Sequence, residues 1–277
     1  MPRIFDFGGR EVERSQTVAG LRALKGSGRR VAQVTAETAE EAAAAEAANI
    51  EMVVCRASNV VRVREGSKRV FVTAALGFAE AITPDEILRT ALAAVTSGAD
   101  AVITGRSLHA VQMLSKEQIP VMGHLGFMPR KSTWVGAVRA VGKTAAEACR
   151  LWEQFQELED AGAFAAECEV IPAAVMAEIN RRTGLVTVSL GSGPEADVIF
   201  LFTSDICGES ARLPRHARAW GRVAELQQAV RDERRKALES FRAEVEGGSY
   251  PSKGEQASLP SKELDAFRES LERQPGS

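Results

Sequence analysis

Aromatic residues make up only 5% of this 277-residue chain, too few for the stacking platforms on which single-stranded nucleic acid is read. Charge of one sign is also missing. Lys+Arg 35 against Asp+Glu 37 leaves a net charge of −2, so no overall field draws nucleic acid or an anionic membrane. The four cysteines, Cys55, Cys149, Cys168 and Cys207, lie far apart without CxxC spacing, which fits reduced thiols rather than a disulfide framework or a zinc ribbon. There is no apolar run of about 18 residues to cross a membrane, and the opening MPRIFDFGGREVERSQ lacks the apolar stretch of a signal peptide. A cytoplasmic protein is expected, with a small molecule or further copies of itself as partner.

What is there is enough apolar residue, 45% of the chain, to bury one large core. Short β-branched or apolar runs alternate with helical patterns: VAQVT (31–35), MVV (52–54), VFVTA (70–74), AVIT (101–104), PVMG (120–123), AFAAE (163–167), VTVSL (186–190) and VIFLF (198–202). Nearly continuous apolar strands suit a parallel sheet covered by helices, and eight of them point to closure as a (β/α)8 TIM barrel. An open doubly wound sheet is the structural rival. The intervening patterns predict helices over 37–48, 83–97 (Thr83 as N-cap, Pro84 in the first turn) and 143–161. The link between the second and third strands, RASNVVRVREGSKR, reads as too short and too β-branched for a crossover helix, leaving a thin wall for a neighbour to cover. The expected organisation is an N-terminal extension (1–25), the barrel (26–215), a charged helix packed on it (216–250) and a polar, mobile tail (251–277), in which ELDAFRESLER can form a short helix.

Four segments carry a family resemblance. IPVMGHLGFMP (119–129) resembles the signature of the ketopantoate hydroxymethyltransferase family, in which a strand ends in Gly-His-Leu-Gly before a proline. AFAAECEVIP (163–172) is similar to the family's strand ending in Glu-Cys-Val-Pro and sets Glu169 at its catalytic glutamate. GSGPEADVIFLFTSDICG (191–208) fits a Gly-x-Gly turn, eighth strand and following Asp and Gly, and AEVEGGSYP (243–251) fits the C-terminal ending. The segments run in the family's order from about residue 21 to 251. The resemblance implies a barrel that forms large homo-oligomers. It also implies an activity in which a magnesium-bound 2-oxo acid loses a proton and its enolate takes a one-carbon unit from a tetrahydrofolate carrier.

The family's metal ligands are absent at the matching positions. The second strand of the family ends in Val-Gly-Asp-Ser, and Val54, Cys55, Arg56 and Ala57 stand here. Its third ends in Asp-x-Pro-Phe, matched by Ala75-Leu76-Gly77-Phe78; its fourth reads Val-Lys-x-Glu-Gly, matched by Val102-Ile103-Thr104-Gly105-Arg106. Magnesium wants near-octahedral oxygen ligands, so it is not expected at the inherited site, and no metal ligands are assigned. Loss of three carboxylates and gain of cations predicts a site that attracts anions directly.

Arg56 and Arg106 are therefore candidates for binding a substrate carboxylate, since a guanidinium fork matches that group; surface arginines on loops are the alternative. His124 and Glu169, at the ends of the fifth and sixth strands, are the candidate catalytic pair, the histidine as donor or proton shuttle and the glutamate as base. Alternation sends Glu167 to the same side as Glu169 and Cys168 to the other, and two adjacent carboxylates can raise one pKa toward neutrality. Ordinary packing or ion pairing is the alternative for each. Ser204 and Asp205, after strand eight, can reach the barrel mouth or serve the next helix. Cys55 reads as a buried inert thiol, and GSG (191–193) is a weak phosphate signal. Three functions follow: a hydroxymethyltransferase-like enzyme for a small 2-oxo acid, with tetrahydrofolate implied by the resemblance; a metal-independent lyase or hydrolase of a carboxylate; and a non-catalytic protein that binds a small acid or pairs with a paralogue.

Overall fold

The computed structural model describes residues 3–273. The chain divides into two compact units, one ending at Gly221 and the other beginning at Arg222. The last four residues of the polar tail, predicted mobile, lie outside the described residues.

The first unit opens with a short antiparallel pair, β1 (Ile4–Phe5) and β2 (Glu11–Val12), and helix α1 (Val18–Arg22). Eight parallel strands follow: β3 (Val31–Thr35), β4 (Met52–Arg56), β5 (Phe71–Ala75), β6 (Ala101–Ile103), β7 (Val121–Gly126), β8 (Ala165–Glu169), β9 (Val186–Leu190) and β10 (Val198–Leu201). They pair in chain order and β10 closes on β3, giving a barrel rather than an open sheet. Helices α2 (Ala39–Ala47), α3 (Val60–Gly66), α4 (Pro84–Thr96), α5 (Leu108–Lys116), α6 (Ser132–Val135), α7 (Ala145–Asp160) and α8 (Ala173–Asn180) lie between strands, and α9 (Thr203–Ile206) follows β10. Thr38 and Thr83 each form a capping box with Glu41 and Glu86, satisfying N–H groups that the first helical turn leaves open. No helix in the described residues is long and apolar enough to cross a membrane.

Alternation along the strands sorts the core into two sets. Val31, Met52, Phe71, Ala101, Met122, Ala165, Val186 and Val198 fill the barrel interior with Leu21 of α1, Leu24 and Phe164. Val34, Val53, Val72, Val102, Val121 and Ala166 face the helices instead. The N-terminal segment thus supplies apolar side chains to the barrel's N-terminal end. Its Arg14 also reaches Asp100 at 2.6 Å, as does Arg64 of α3 at 2.6 Å.

Two expectations change. The link after β4 does contain a helix, α3, whose Val60 and Val63 are fully buried. Its length suffices because Gly66 lets it close against α2: a Cβ there would lie 1.9 Å from the Ala39 carbonyl oxygen. The wall is therefore covered by the chain itself. Second, β7 and β8 extend past the apolar runs to Gly126 and Glu169, so the polar residues of both motifs belong to the ladder.

The barrel unit continues beyond residue 215 because Trp220 and Gly221 both donate from their backbone N–H groups to Ile206 O, at 2.9 and 3.0 Å. The second unit contains α10 (Val223–Glu246) and α11 (Ser261–Glu272). Within it, Phe241 and Tyr250 meet edge-on at 5.3 Å between ring centroids.

Candidate functional site

The C-terminal ends of β7 and β8 bring His124, Glu167 and Glu169 together. Register pairs His124 with Glu167 and Gly126 with Glu169, and all three polar side chains share the inward parity of Met122 and Ala165. His124 Nε2 lies 3.0 Å from Glu169 Oε2, a hydrogen bond, and 3.9 Å from Glu167 Oε1. Side-chain exposure falls from 18% at His124 and 14% at Glu169 to 9% at Glu167. The couple is reachable from the mouth, with Glu167 beneath it.

Local backbone chemistry sets this geometry. Gly126 has φ +90°, and a Cβ there would come within 2.3 Å of the Glu169 carbonyl oxygen; that oxygen instead accepts from Phe127 N at 2.7 Å. Directly after Glu169, Val170 adopts φ +50°, a conformation unfavourable for a β-branched residue. It is held by Val170 N donating to Leu190 O at 2.9 Å and Val141 N donating to Val170 O at 3.2 Å. Ser192, the centre of GSG, accepts from Ile171 N at 2.9 Å and donates to Cys168 O at 2.6 Å. These bonds tie the GSG turn to the end of β8, so it positions the strand that carries Glu169.

Burial pushes the Glu167 carboxyl above its ordinary range, with the neighbouring Glu169 charge adding and His124 opposing. Burial pulls His124 down, but its hydrogen bond to Glu169 and the charges of both glutamates outweigh that, and its pKa is raised. An imidazole that holds its proton beside a carboxylate can pass it along the short bond between them. The same three side chains are also a geometric candidate for a cation, since one ligand atom from each lies within 4.8 Å of the others.

The remaining expected residues are placed differently. Arg56 ends β4 at the rim with its backbone N donating to the Glu37 carboxylate at 3.1 and 3.3 Å; its guanidinium has no hydrogen bond or ion pair among the described residues. Arg106 is engaged elsewhere: its Nη2 donates to the carbonyls of Gly77 (3.0 Å), Phe78 (3.1 Å) and Ala81, and its guanidinium sits 5.3 Å from the Phe78 ring centroid. It therefore holds the loop after β5, whereas Arg56 is the one of the two expected carboxylate-binding arginines whose guanidinium has no partner among the described residues. Asp205 is buried and accepts from Ser210 Oγ, while the Ser204 carbonyl accepts from Glu209 N at 2.8 Å. Both bonds brace the turn after α9. Cys55 is buried among the helices, and burial pushes its thiol up to about 12, as an inert thiol requires.

Gly105, the residue matched to the family's fourth-strand glutamate, is closely lined by side chains. A Cβ at Gly105 would meet Phe78 at 3.3 Å, Met128 at 3.4 Å and His124 at 3.5 Å. Arg130 adds its guanidinium over Phe78, 3.5 Å from the ring centroid, and donates to Gly105 O. Sequence patterns did not single out this cluster, nor the inward-facing Gln33 and Thr73, which are buried with side-chain polar atoms that have no partner among the described residues.

Comparison with known proteins agrees with this architecture. The 3-methyl-2-oxobutanoate hydroxymethyltransferase of Methylococcus capsulatus (strain Bath) is 30% identical over 260 residues, covering 85% of this chain and 94% of that protein. That of Pyrobaculum islandicum is 35% identical over 173 residues, covering 61% of this chain and 64% of that protein; the match spans less than two thirds of the archaeal relative. Among solved structures, oxaloacetate acetylhydrolase with its product oxalate superposes with a TM-score of 0.51 at 9% identity, covering 94% of this chain and 97% of the other, a likeness of fold alone. The model of the ketopantoate hydroxymethyltransferase family matches residues 56–253, a span that takes in the strand ends bearing His124 and Glu169. The chain belongs to the ketopantoate hydroxymethyltransferase family.

Proposed function

We propose that this protein binds a small carboxylate of the 2-oxo acid class at the C-terminal mouth of its barrel and moves a proton on it with Glu169 and His124. The observation that carries the reading is the 3.0 Å bond between His124 Nε2 and Glu169 Oε2, at the barrel end where such folds place their chemistry. Magnesium at the inherited positions does not fit this chain. Arg56, Ala75 and Gly105 offer no carboxylate oxygen. No step is routed through it.

The chain's own residues supply an alternative division of labour. Arg56 offers an unpartnered cation at the rim for the substrate carboxylate. Glu169 accepts a proton from carbon adjacent to the carbonyl group, and His124 orients that carboxylate through the bond at Nε2. Glu167 keeps negative charge beneath His124 and so favours its protonated form.

Solvent deuterium exchange tests the proposal. 3-Methyl-2-oxobutanoate, the compound in the relatives' names, should exchange its C3 proton in the presence of the protein. Glu169→Gln should slow that exchange by about 10²-fold or more, and Arg56→Ala should weaken binding without abolishing exchange at saturation. Exchange that survives unchanged in Glu169→Gln would refute the assignment.

A further inference from the structure

The inward face of the barrel holds Glu167, to which the proton-transfer reading gives only an electrostatic bias on His124, together with Gln33 and Thr73, which that reading does not use. Glu167 is 7% exposed and has no hydrogen-bond partner among the described residues. Its charged neighbours among the described residues are His124 and Glu169, and the first of these is positive when protonated. Gln33, 1% exposed, has both amide atoms unpartnered, and Thr73, fully buried, has an unpartnered hydroxyl. By strand alternation both share the interior with Glu167, because Gln33 has the parity of Val31 and Thr73 that of Phe71. Two close carboxylates in a low-dielectric interior repel each other and draw a cation.

One of the ligand-atom spacings is that of a metal site and another is wider. Metal–ligand bonds of about 2.1 Å put neighbouring ligand atoms roughly 3.0 to 3.4 Å apart, from octahedral to tetrahedral geometry. Here His124 Nε2 stands 3.0 Å from Glu169 Oε2 and 3.9 Å from Glu167 Oε1, with all three atoms inside 4.8 Å. Small side-chain rotations would bring them onto one ion. One imidazole nitrogen with two carboxylates favours zinc-like divalent ions over magnesium, which prefers oxygen and keeps its water.

We propose that His124, Glu167 and Glu169 form a binding site for a divalent transition-metal ion of the zinc class, placed between β7 and β8 rather than at the family's inherited ligand positions. His124 binds through the neutral Nε2 lone pair, so loading releases any proton held there. Three protein ligands leave at least one position open toward the mouth. The inference rests on the same couple as the proposed function but not on turnover, because metal-bound and freely proton-transferring Glu169 are alternative states of one site.

The test is calorimetric titration of the chelator-treated full chain with zinc chloride, and separately with magnesium chloride. One zinc per chain is expected, with magnesium at least about 100-fold weaker. Glu167→Gln, which preserves shape, should weaken zinc about tenfold or more, as even outer-sphere changes do at such sites. Cobalt(II) supplies a readout that no variant is needed for: visible d–d bands without thiolate charge transfer support the site. Absent zinc binding, equal affinity in Glu167→Gln, or a thiolate signature from the exposed Cys149 would overturn it. Deuterium exchange by the metal-free protein reports separately on the proton-transfer reading, so either can fail alone.

Discussion

The first glycine of the GHLG motif makes a sharp prediction, because its requirement is steric. Gly123 lies on the outward face of β7, between inward-facing Met122 and His124. A methyl group at that position would stand 2.4, 2.5 and 3.0 Å from Cδ2, Cδ1 and Cγ of Leu158. Ordinary carbon contacts are about 3.5–4.0 Å, so the overlap approaches 1 Å or more. Leu158, in the last full turn of α7, is 3% exposed and has little room to swing away. Gly123→Ala should therefore cost about 1–3 kcal/mol as overpacking, lowering Tm by about 2–4 °C per kcal/mol in a unit of this size. Leu158→Ala alone should cost about 2–5 kcal/mol through the cavity it leaves. In the double variant the new methyl enters that cavity, so the two costs should fall short of additivity by about 1 kcal/mol or more. Urea denaturation of the four proteins in the cycle measures this. Additive costs, or a Gly123→Ala change below about 0.5 kcal/mol, would refute a steric role for the glycine.

Three further outcomes are expected. The raised His124 pKa means that its contribution to stability is fully present below its ordinary value of 6.5 and is lost as pH rises through the folded-state value. The urea midpoint of the wild type should thus fall above pH 6.5, and His124→Gln should flatten that fall; an unchanged slope would count against the His124 contribution. Val170→Gly should relieve a positive-φ strain of about 1–3 kcal/mol, offset by roughly 0.5–1 kcal/mol of added chain entropy; a lower Tm would contradict it. Arg106→Ala should expose the loop after β5 to limited proteolysis between residues 77 and 82 while leaving Arg56-dependent ligand binding measurable. If cleavage there does not increase, the three carbonyl bonds are not what holds the loop.

The barrel was legible from the sequence because its signal is redundant: eight apolar runs, separated by helical patterns, allow closure without knowledge of any one contact. Strand ends were less legible. Hydropathy stops at Gly123 and Glu167, whereas the ladder continues through His124-Leu125-Gly126 and Cys168-Glu169 because backbone pairing does not require apolar side chains. Motif resemblance set His124 and Glu169 at the ends of their strands, and parity put Glu167 beside Glu169; the bond between His124 and Glu169 depends on the β7–β8 register, which no local pattern gives. Arg106 did not, since its sequence neighbourhood cannot reveal that three carbonyls of a loop more than twenty residues earlier will claim its guanidinium. Helix α3 was missed for a related reason: β-branched VVRVR has poor helix propensity, and tertiary burial of Val60 and Val63 against α2 overrides it. The strain at Val170 has no local signature, because valine is ordinary in the strand its sequence suggests.

The packing around Gly105 has a consequence for β7. A Cβ there would stand 3.3 Å from Phe78, 3.4 Å from Met128 and 3.5 Å from His124, with Arg130 over the Phe78 ring. Phe78 would have to give by a few tenths of an ångström to admit a side chain, while His124 is already at ordinary contact distance. The size of residue 105, just past the end of β6, is therefore felt at the histidine of the neighbouring strand: position 105 is a steric dial on His124 that lies outside the motif carrying it.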